Sequence, residues 1–252
     1  MATRSASAPL TAYVLHHYDW SESSLILDLY TREQGRLAVA AKGAKKPHSN
    51  FRSVLLPFQR IQVSLSGAAA RDEASNSEVQ SLRAAEWGGA AAMLTGAALF
   101  SGYYLNELLM KLLARHDPHP HLFDAYALAL TALGAAEETS TQSALRAFEL
   151  TLLQQTGVLP DLSVVTPTQQ PVQPGRGYGV LPDAGVVTDG EIAGATLIGV
   201  QAALQHGSFA ALQQACAPAL PGLKNALRAL IQHQLGHVIL RTRQVMRDVQ
   251  AL

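Results

Sequence analysis

Residues 24–40 read Ser24-Leu25-Ile26-Leu27-Asp28-Leu29-Tyr30-Thr31-Arg32-Glu33-Gln34-Gly35-Arg36-Leu37-Ala38-Val39-Ala40. The stretch consists of two apolar runs, each long enough for a strand, on either side of the polar turn Glu33-Gln34-Gly35. A glycine at this place can adopt the positive φ that a tight turn between two strands requires. The stretch therefore predicts a β-hairpin.

Similar short runs occur on both sides of this hairpin, at residues 12–15, 60–65 and 79–84. In residues 60–65, Ile61, Val63 and Leu65 alternate with polar residues, which is the pattern of a half-buried strand. Four or five short strands within about 75 residues favour a small closed barrel over a β-sandwich.

Near residue 85 the apolar residues change from a strand period to a helical period. Helices are predicted at residues 90–113, 122–133, 143–156, 197–204, 208–215 and 223–249. A small hairpin is predicted at residues 178–187, across the turn Pro182-Asp183-Ala184-Gly185. We therefore expect an α+β protein with a five-stranded barrel at residues 1–84 and a mainly helical domain at residues 85–252.

The composition excludes several classes of protein. The chain has 252 residues, of which 48% are hydrophobic, so it has ample material for a core. Its single cysteine, Cys216, excludes a disulfide framework and a cysteine-based zinc or iron–sulfur site. The N-terminus has no apolar signal region, and the most apolar stretch, residues 88–100, is too short to span a bilayer. We expect a soluble, intracellular, cytoplasmic protein without a membrane partner.

Charge is strongly segregated although Lys+Arg 19 balances Asp+Glu 19. Residues 31–60 carry seven cations against Glu33 alone, a balance of +6, and residues 221–252 carry five cations against Asp248 alone, a balance of +4. Residues 81–220 hold 5 basic and 11 acidic residues, a balance of −6. Such a chain can present a cationic face to a polyanion, although solvated surface residues are the alternative interpretation.

Signatures of catalysis and metal binding are weak. Gly175-Arg176-Gly177-Tyr178-Gly179 has the wrong spacing for a phosphate-binding loop and is better interpreted as a turn. His116, Asp117, His119 and His121 include zinc-ligand types, but Pro118 and Pro120 hold this segment extended, so its side chains point apart. We therefore expect no metal site and no cofactor.

The basic segment at residues 41–52 is the most informative part of the sequence. Its mobile lysines suit a sugar-phosphate backbone, and Phe51 or the nearby Tyr30 is a candidate for stacking on a base. No regular helix is expected here to enter a major groove, so the segment favours a single-stranded ligand with little base preference.

Several motifs in this chain are similar to those of the RecO family of bacterial recombination mediators. They include Trp20-Ser21-Glu22-Ser23-Ser24-Leu25, Ala41-Lys42-Gly43-Ala44-Lys45, Leu56-Pro57-Phe58, Tyr104-Leu105-Asn106-Glu107-Leu108-Leu109 and Leu145-Arg146-Ala147-Phe148-Glu149-Leu150. The resemblance covers nearly the whole chain and implies an N-terminal OB-fold followed by a helical domain.

The resemblance also implies a function and partners. Proteins of this family bind single-stranded and duplex DNA, anneal complementary strands, and work with RecR to load RecA onto strands coated by single-stranded DNA-binding protein. They are not enzymes, and they act in the cytoplasm at the bacterial nucleoid. The chain departs from the family in two places: Leu56 replaces the usual Gln, and residues 166–190 lack the four-cysteine zinc module of many members.

Charge and resemblance together assign candidate site residues. The DNA-binding candidates are Arg36, Lys42, Lys45, Lys46, Arg52, Arg60, Lys224, Arg228, Arg241, Arg243 and Arg247. The resemblance implies that the helical domain recognises the acidic, Phe-ended C-terminal tail of single-stranded DNA-binding protein. The candidates for this contact are Arg146, Phe148, Leu152 and Leu153. The alternative is that Arg146 pairs with Glu149 at i, i+3 and that Phe148 belongs to the core.

Two other functions stay open on the sequence alone. An RNA-binding OB module would carry the same basic segment. A small metal-dependent nuclease would need clustered inward carboxylates, whereas the acidic residues before the basic segment other than Glu33 are Asp19, Glu22 and Asp28, at strand and turn positions.

Overall fold

The structure, a computed structural model, describes residues 8–66, 79–89, 93–135 and 137–250, except for the side chains of residues 246, 247, 249 and 250. The N-terminal strands are β1 Leu10–Asp19, β2 Leu25–Thr31, β3 Gly35–Ala41, β4 Ile61–Leu65 and β5 Val79–Trp87. They form a closed barrel in the order β1-β2-β3-β5-β4. The expected five-stranded OB-fold barrel is confirmed.

The barrel closes around an apolar core because alternate residues of each strand point inward. Leu27, Leu37, Val39, Ile61 and Val63 are all fully buried within it. The β2–β3 hairpin pairs Thr31 with Gly35 and Leu25 with Ala41, as residues 24–40 predict. Gly35 has a φ of +69°, and a Cβ there would overlap the backbone of Asp117, so two constraints require glycine.

Strand directions place two loops at the same end of the barrel. β1 and β2 are antiparallel, as are β2 and β3, so the β1–β2 loop and the end of β3 lie at one end. β5 runs parallel to β3 and antiparallel to β4, so the start of β4 lies there too. We call this the loop end of the barrel; it carries residues 20–24 and 42–60.

Two compact units divide the chain: residues 1–94 with 105–123, and residues 95–104 with 124–252. We call them the barrel unit and the helical unit. The helices are α1 Gly96–Leu112, α2 Pro120–Leu133, α3 Glu138–Gln155, α4 Gly194–His206, α5 Phe209–Cys216, α6 Leu220–Leu235 and α7 Arg241–Gln250. Within the barrel unit, the Asn106 Nδ2 donates to the Leu15 carbonyl at 3.0 Å.

The helical unit also holds five short strands, β6 Val164–Val165, β7 Gln170–Pro171, β8 Gly177–Leu181, β9 Gly185–Thr188 and β10 Ile192–Ala193. β8 and β9 form the predicted hairpin across residues 182–184. Val180 and Val186 are buried within this segment. No helix among the described residues has both the length and the apolar character needed to cross a membrane.

The single last helix predicted at residues 223–249 is wrong. The structure has two helices, because Gly236 ends α6 with a φ of +58° and α7 begins only at Arg241. Gly236 adopts this positive φ readily, whereas the other residue types do so only at a cost. The cations assigned to one helix therefore belong to two.

Candidate nucleic-acid interface

Backbone hydrogen bonds join the two loops at the loop end of the barrel. The Lys45 amide donates to the Ser23 carbonyl at 3.0 Å, and the Gly43 amide donates to the Ser24 hydroxyl at 3.3 Å. Gly43 has a φ of +74°, which turns the chain directly after β3. The loop bearing Trp20 and the loop bearing the lysines therefore form one surface.

Four cations of this surface are exposed to solvent: Lys42, Lys46, Arg52 and Arg60. No carboxylate among the described residues lies within ion-pair distance of any of them. Lys45 differs, since its Nζ lies 3.1 Å from the Asp19 carboxylate and its side chain is only partly exposed. The loop end therefore offers four exposed cations and one neutralised cation to an anionic ligand.

Arg36 does not belong to this surface, and its assignment to DNA is corrected. Its guanidinium is buried and forms a two-pronged ion pair with Asp28, with Nη2 2.7 Å and Nε 3.2 Å from the carboxylate oxygens. Nη1 donates to the carbonyls of Met110 and Leu113, both at 2.7 Å. Arg36 thus caps the C-terminus of α1 with four of its five N–H donors engaged, and its burial keeps it from a phosphate.

The structure also changes which aromatic residue is available for stacking. Tyr30 is fully buried, and Phe51 is only partly exposed because it packs against the barrel core. Trp20, by contrast, is 55% exposed and lies in the β1–β2 loop. Trp20 was not predicted to stack on a base, although its position directly after the first strand and before the basic segment is a signal that the sequence contains.

The second group of DNA-binding candidates lies in the helical unit. Lys224 and Arg228 are exposed on α6, at the edge of its buried face, and Arg241 is exposed at the start of α7. Arg243 is only half-exposed: its guanidinium donates to the Tyr104 hydroxyl at 3.1 Å and lies 5.3 Å from the centre of that ring. The side chain of Arg247 lies outside the described part of the chain.

The assignment of Arg146, Phe148, Leu152 and Leu153 to a partner surface is also corrected. The three apolar residues are fully buried, and Arg146 is 6% exposed. Its Nε and Nη2 each lie 3.1 Å from an oxygen of the equally buried Glu149. A side chain enclosed in this way cannot receive a peptide, so the alternative interpretation, an i, i+3 ion pair beside a core Phe148, is the one that the structure supports.

Burial governs the titration of the groups around this ion pair. It raises the pKa of Glu149, an effect that the Arg146 guanidinium and the Tyr104 hydroxyl oppose. Tyr104 donates to a Glu149 oxygen at 2.6 Å, and burial raises the pKa of that hydroxyl as well. Burial likewise raises the pKa of the Cys216 thiol to about 12, so this cysteine stays protonated and inert.

The described residues contain no group of three or more metal-ligand side chains. Among the four residues considered for zinc, His119 pairs with Asp117, with Nε2 3.2 Å from the carboxylate. Residues 166–190 lack the cysteines of the family's zinc module. There the Val186 amide donates to the Thr166 hydroxyl, and the Gln173 amide donates to the Tyr178 hydroxyl, both at 2.9 Å. The residues present do not fit a cysteine-based zinc site.

Comparison with known proteins covers almost the whole chain. The family models described as recombination protein O N terminal and recombination protein O C terminal match residues 8–84 and 93–244. Proteins named DNA repair protein RecO from Polaromonas sp. and Polaromonas naphthalenivorans are 48% and 49% identical, over 96% of both chains in each case. A protein of the same name from Verminephrobacter eiseniae is 48% identical over the full length of both chains.

Proposed function

Because the chain belongs to the RecO family of DNA repair proteins, we propose that it binds single-stranded and duplex DNA, anneals complementary strands and helps to load RecA onto strands coated by single-stranded DNA-binding protein. It does so as a non-enzymatic mediator in the cytoplasm. Its partners are DNA, single-stranded DNA-binding protein, RecR and, indirectly, RecA.

The observation that carries this proposal is the set of four exposed cations at the loop end of the barrel. Lys42, Lys46, Arg52 and Arg60 all lie on the segment 42–60, which hydrogen bonds join to the β1–β2 loop, and each is available to a phosphate. Contacts of this kind gain free energy because they release condensed counterions from the DNA. Since every nucleotide carries the same phosphate, these contacts do not depend on base sequence. An annealing protein needs this property, since it must accept any strand.

Replacing Lys42 and Lys46 together with Ala should weaken binding to a labelled single strand and flatten its salt dependence. Each lost contact with a single-strand phosphate lowers the slope of log K against log salt by about 0.7, so the pair should lower it by about 1.4. Fluorescence anisotropy at KCl concentrations from about 50 to 200 mM measures this slope. Lys45→Ala should change it less, because the Lys45 charge is already paired with Asp19.

Lys111→Ala is the matched control, because Lys111 is exposed in the same unit but far from the loop end. It lies beside the α1 carbonyls that Arg36 caps near the start of β3, about 20 Å from the end of that strand. If Lys111→Ala lowers the slope of log K against log salt as much as the double variant does, the assignment is contradicted. If the protein anneals complementary DNA strands without metal or nucleotide, the metal-dependent nuclease is excluded. If it binds an RNA strand more tightly than the DNA strand of matched sequence, the RNA-binding alternative is favoured.

We also propose that the helical unit recruits single-stranded DNA-binding protein through α6 and the segment that follows it. An acidic tail that ends in Phe needs cations for its carboxylates and exposed apolar surface for its ring. Lys224 and Arg228 are exposed one turn apart on α6, and Val238 and Ile239 after this helix are 42% and 71% exposed. The buried Arg146 offers neither feature.

Charge reversal at Lys224 and Arg228 should cost about 1 kcal/mol or more of the binding free energy of a fluorescent tail peptide, as the loss of charge-assisted contacts does. Binding by the unaltered protein should weaken with salt and disappear when the terminal Phe is removed from the peptide. Lys111→Glu serves as the control for a general effect of charge. Unchanged affinity in the α6 variant would show that the tail binds elsewhere.

A further inference from the structure

A groove opens at the loop end of the barrel, and the proposed contacts with phosphates do not by themselves explain its composition. Its volume is about 460 Å³, within the range of about 300–1,000 Å³ that is typical of pockets for small ligands. An aromatic ring, hydroxyl groups and two cations line it: Trp20, Ser21, Ser23, Ser24, Lys42, Gly43 and Lys46. This set combines a stacking surface with groups that bind phosphate.

The aromatic ring and the cations of the groove lie on different loops that the fold holds together. Trp20 follows β1, and Lys42, Gly43 and Lys46 follow β3; the bond from the Lys45 amide to the Ser23 carbonyl fixes the distance between the loops. The groove is therefore preformed rather than assembled by a ligand.

We propose that this groove holds one unpaired nucleotide of single-stranded DNA, with the base stacked on Trp20 and its phosphates contacted by Lys42 and Lys46. The ring of Trp20 is more than half exposed, and every base has a π-face, so the contact tolerates any sequence. The inference rests on the proposed function, since it assumes that DNA reaches the loop end.

The groove also gives the protein a means to distinguish single strands from duplex. A base within a duplex is stacked on both faces and paired at one edge, so it reaches Trp20 only after it has been unstacked and unpaired at a cost of a few kcal/mol. The exposed cations contact phosphates of either form, whereas the ring contacts only an unpaired base. Trp20 thus selects for the single strand, and the cations do not.

Trp20→Ala should reduce the affinity for a labelled oligothymidylate by about 10-fold, which corresponds to about 1.4 kcal/mol. The affinity for a blunt duplex of equal length should stay within about twofold, because no base leaves that helix. Trp20→Phe keeps an aromatic face and should retain most of the single-strand affinity. Equal losses on both DNA forms, or equal losses in the Phe and Ala variants, would overturn the proposal.

Tryptophan fluorescence gives a second readout, because the chain has only two tryptophans. In Trp87→Phe, oligothymidylate should quench the remaining Trp20, whereas in Trp20→Phe the Trp87 emission should change less. If single-strand binding is salt-dependent but insensitive to Trp20, the stacking proposal fails and the proposed function stands. If no salt-dependent binding occurs at all, the proposed function itself fails.

Discussion

Arg36→Met should destabilise the barrel unit by about 3–5 kcal/mol without altering the salt slope of DNA binding. The substitution leaves the Asp28 carboxylate, with only 4% of its side chain exposed, without its two-pronged partner. It also removes the donor that the carbonyls of Met110 and Leu113 share. Both tryptophans belong to the barrel unit, so urea denaturation followed by their fluorescence reports this loss.

Two further variants separate the buried charge from other effects. Asp28→Leu combined with Arg36→Met should recover part of the loss, since removing both charges costs less than leaving one of them unpaired. Arg60→Met, at an exposed arginine of the same barrel, should change the free energy of unfolding by no more than about 0.5 kcal/mol. Arg36→Met with normal stability and a flattened salt slope would restore Arg36 to the DNA-binding set.

The sequence predicted the barrel well because its strands are short, local and regularly patterned. Residues 24–40 contain both strands of a hairpin and the glycine that joins them, so this pairing needs no distant information. In the helical part, the sequence predicted the ends of individual helices less well than their presence. Pro120 begins α2 because proline suits the first turn of a helix, and Gly236 divides a helix that the apolar pattern alone continues.

The candidate site was predicted by charge, and charge does not reveal burial. Arg36 and Lys42 look alike in the sequence, yet one is enclosed with Asp28 and the other is exposed. Asp28 is eight residues away on the neighbouring strand, at the diagonal position, so the ion pair depends on strand register. Trp20 was missed because its position also depends on contacts between distant parts of the chain. Only the meeting of two loops places its ring beside lysines that follow β3.

Arg146→Met should destabilise the helical unit by about 3–5 kcal/mol near neutral pH, because it leaves Glu149 buried without its counter-charge. The Tyr104 hydroxyl would remain as a donor to this carboxyl, which limits the loss but does not replace a guanidinium. Urea denaturation followed by far-UV circular dichroism measures the loss. Arg228→Met, at an exposed arginine of α6, is the matched control and should have little effect.

The loss in Arg146→Met should also grow as the pH rises from about 5 to about 8. Burial already raises the pKa of Glu149, and Arg146 opposes that effect, so the variant raises the pKa further. At a pH above the ordinary pKa of a glutamate, Glu149 of the variant is then ionised in the unfolded chain but keeps its proton in the folded chain. The free energy of unfolding of the variant therefore falls as the pH rises, by up to about 1.4 kcal/mol per pH unit. Adding Glu149→Gln should abolish this dependence, because the amide does not titrate. An Arg146→Met protein that is as stable as the original at both pH values, yet loses the tail peptide, would show that Arg146 acts at a surface after all.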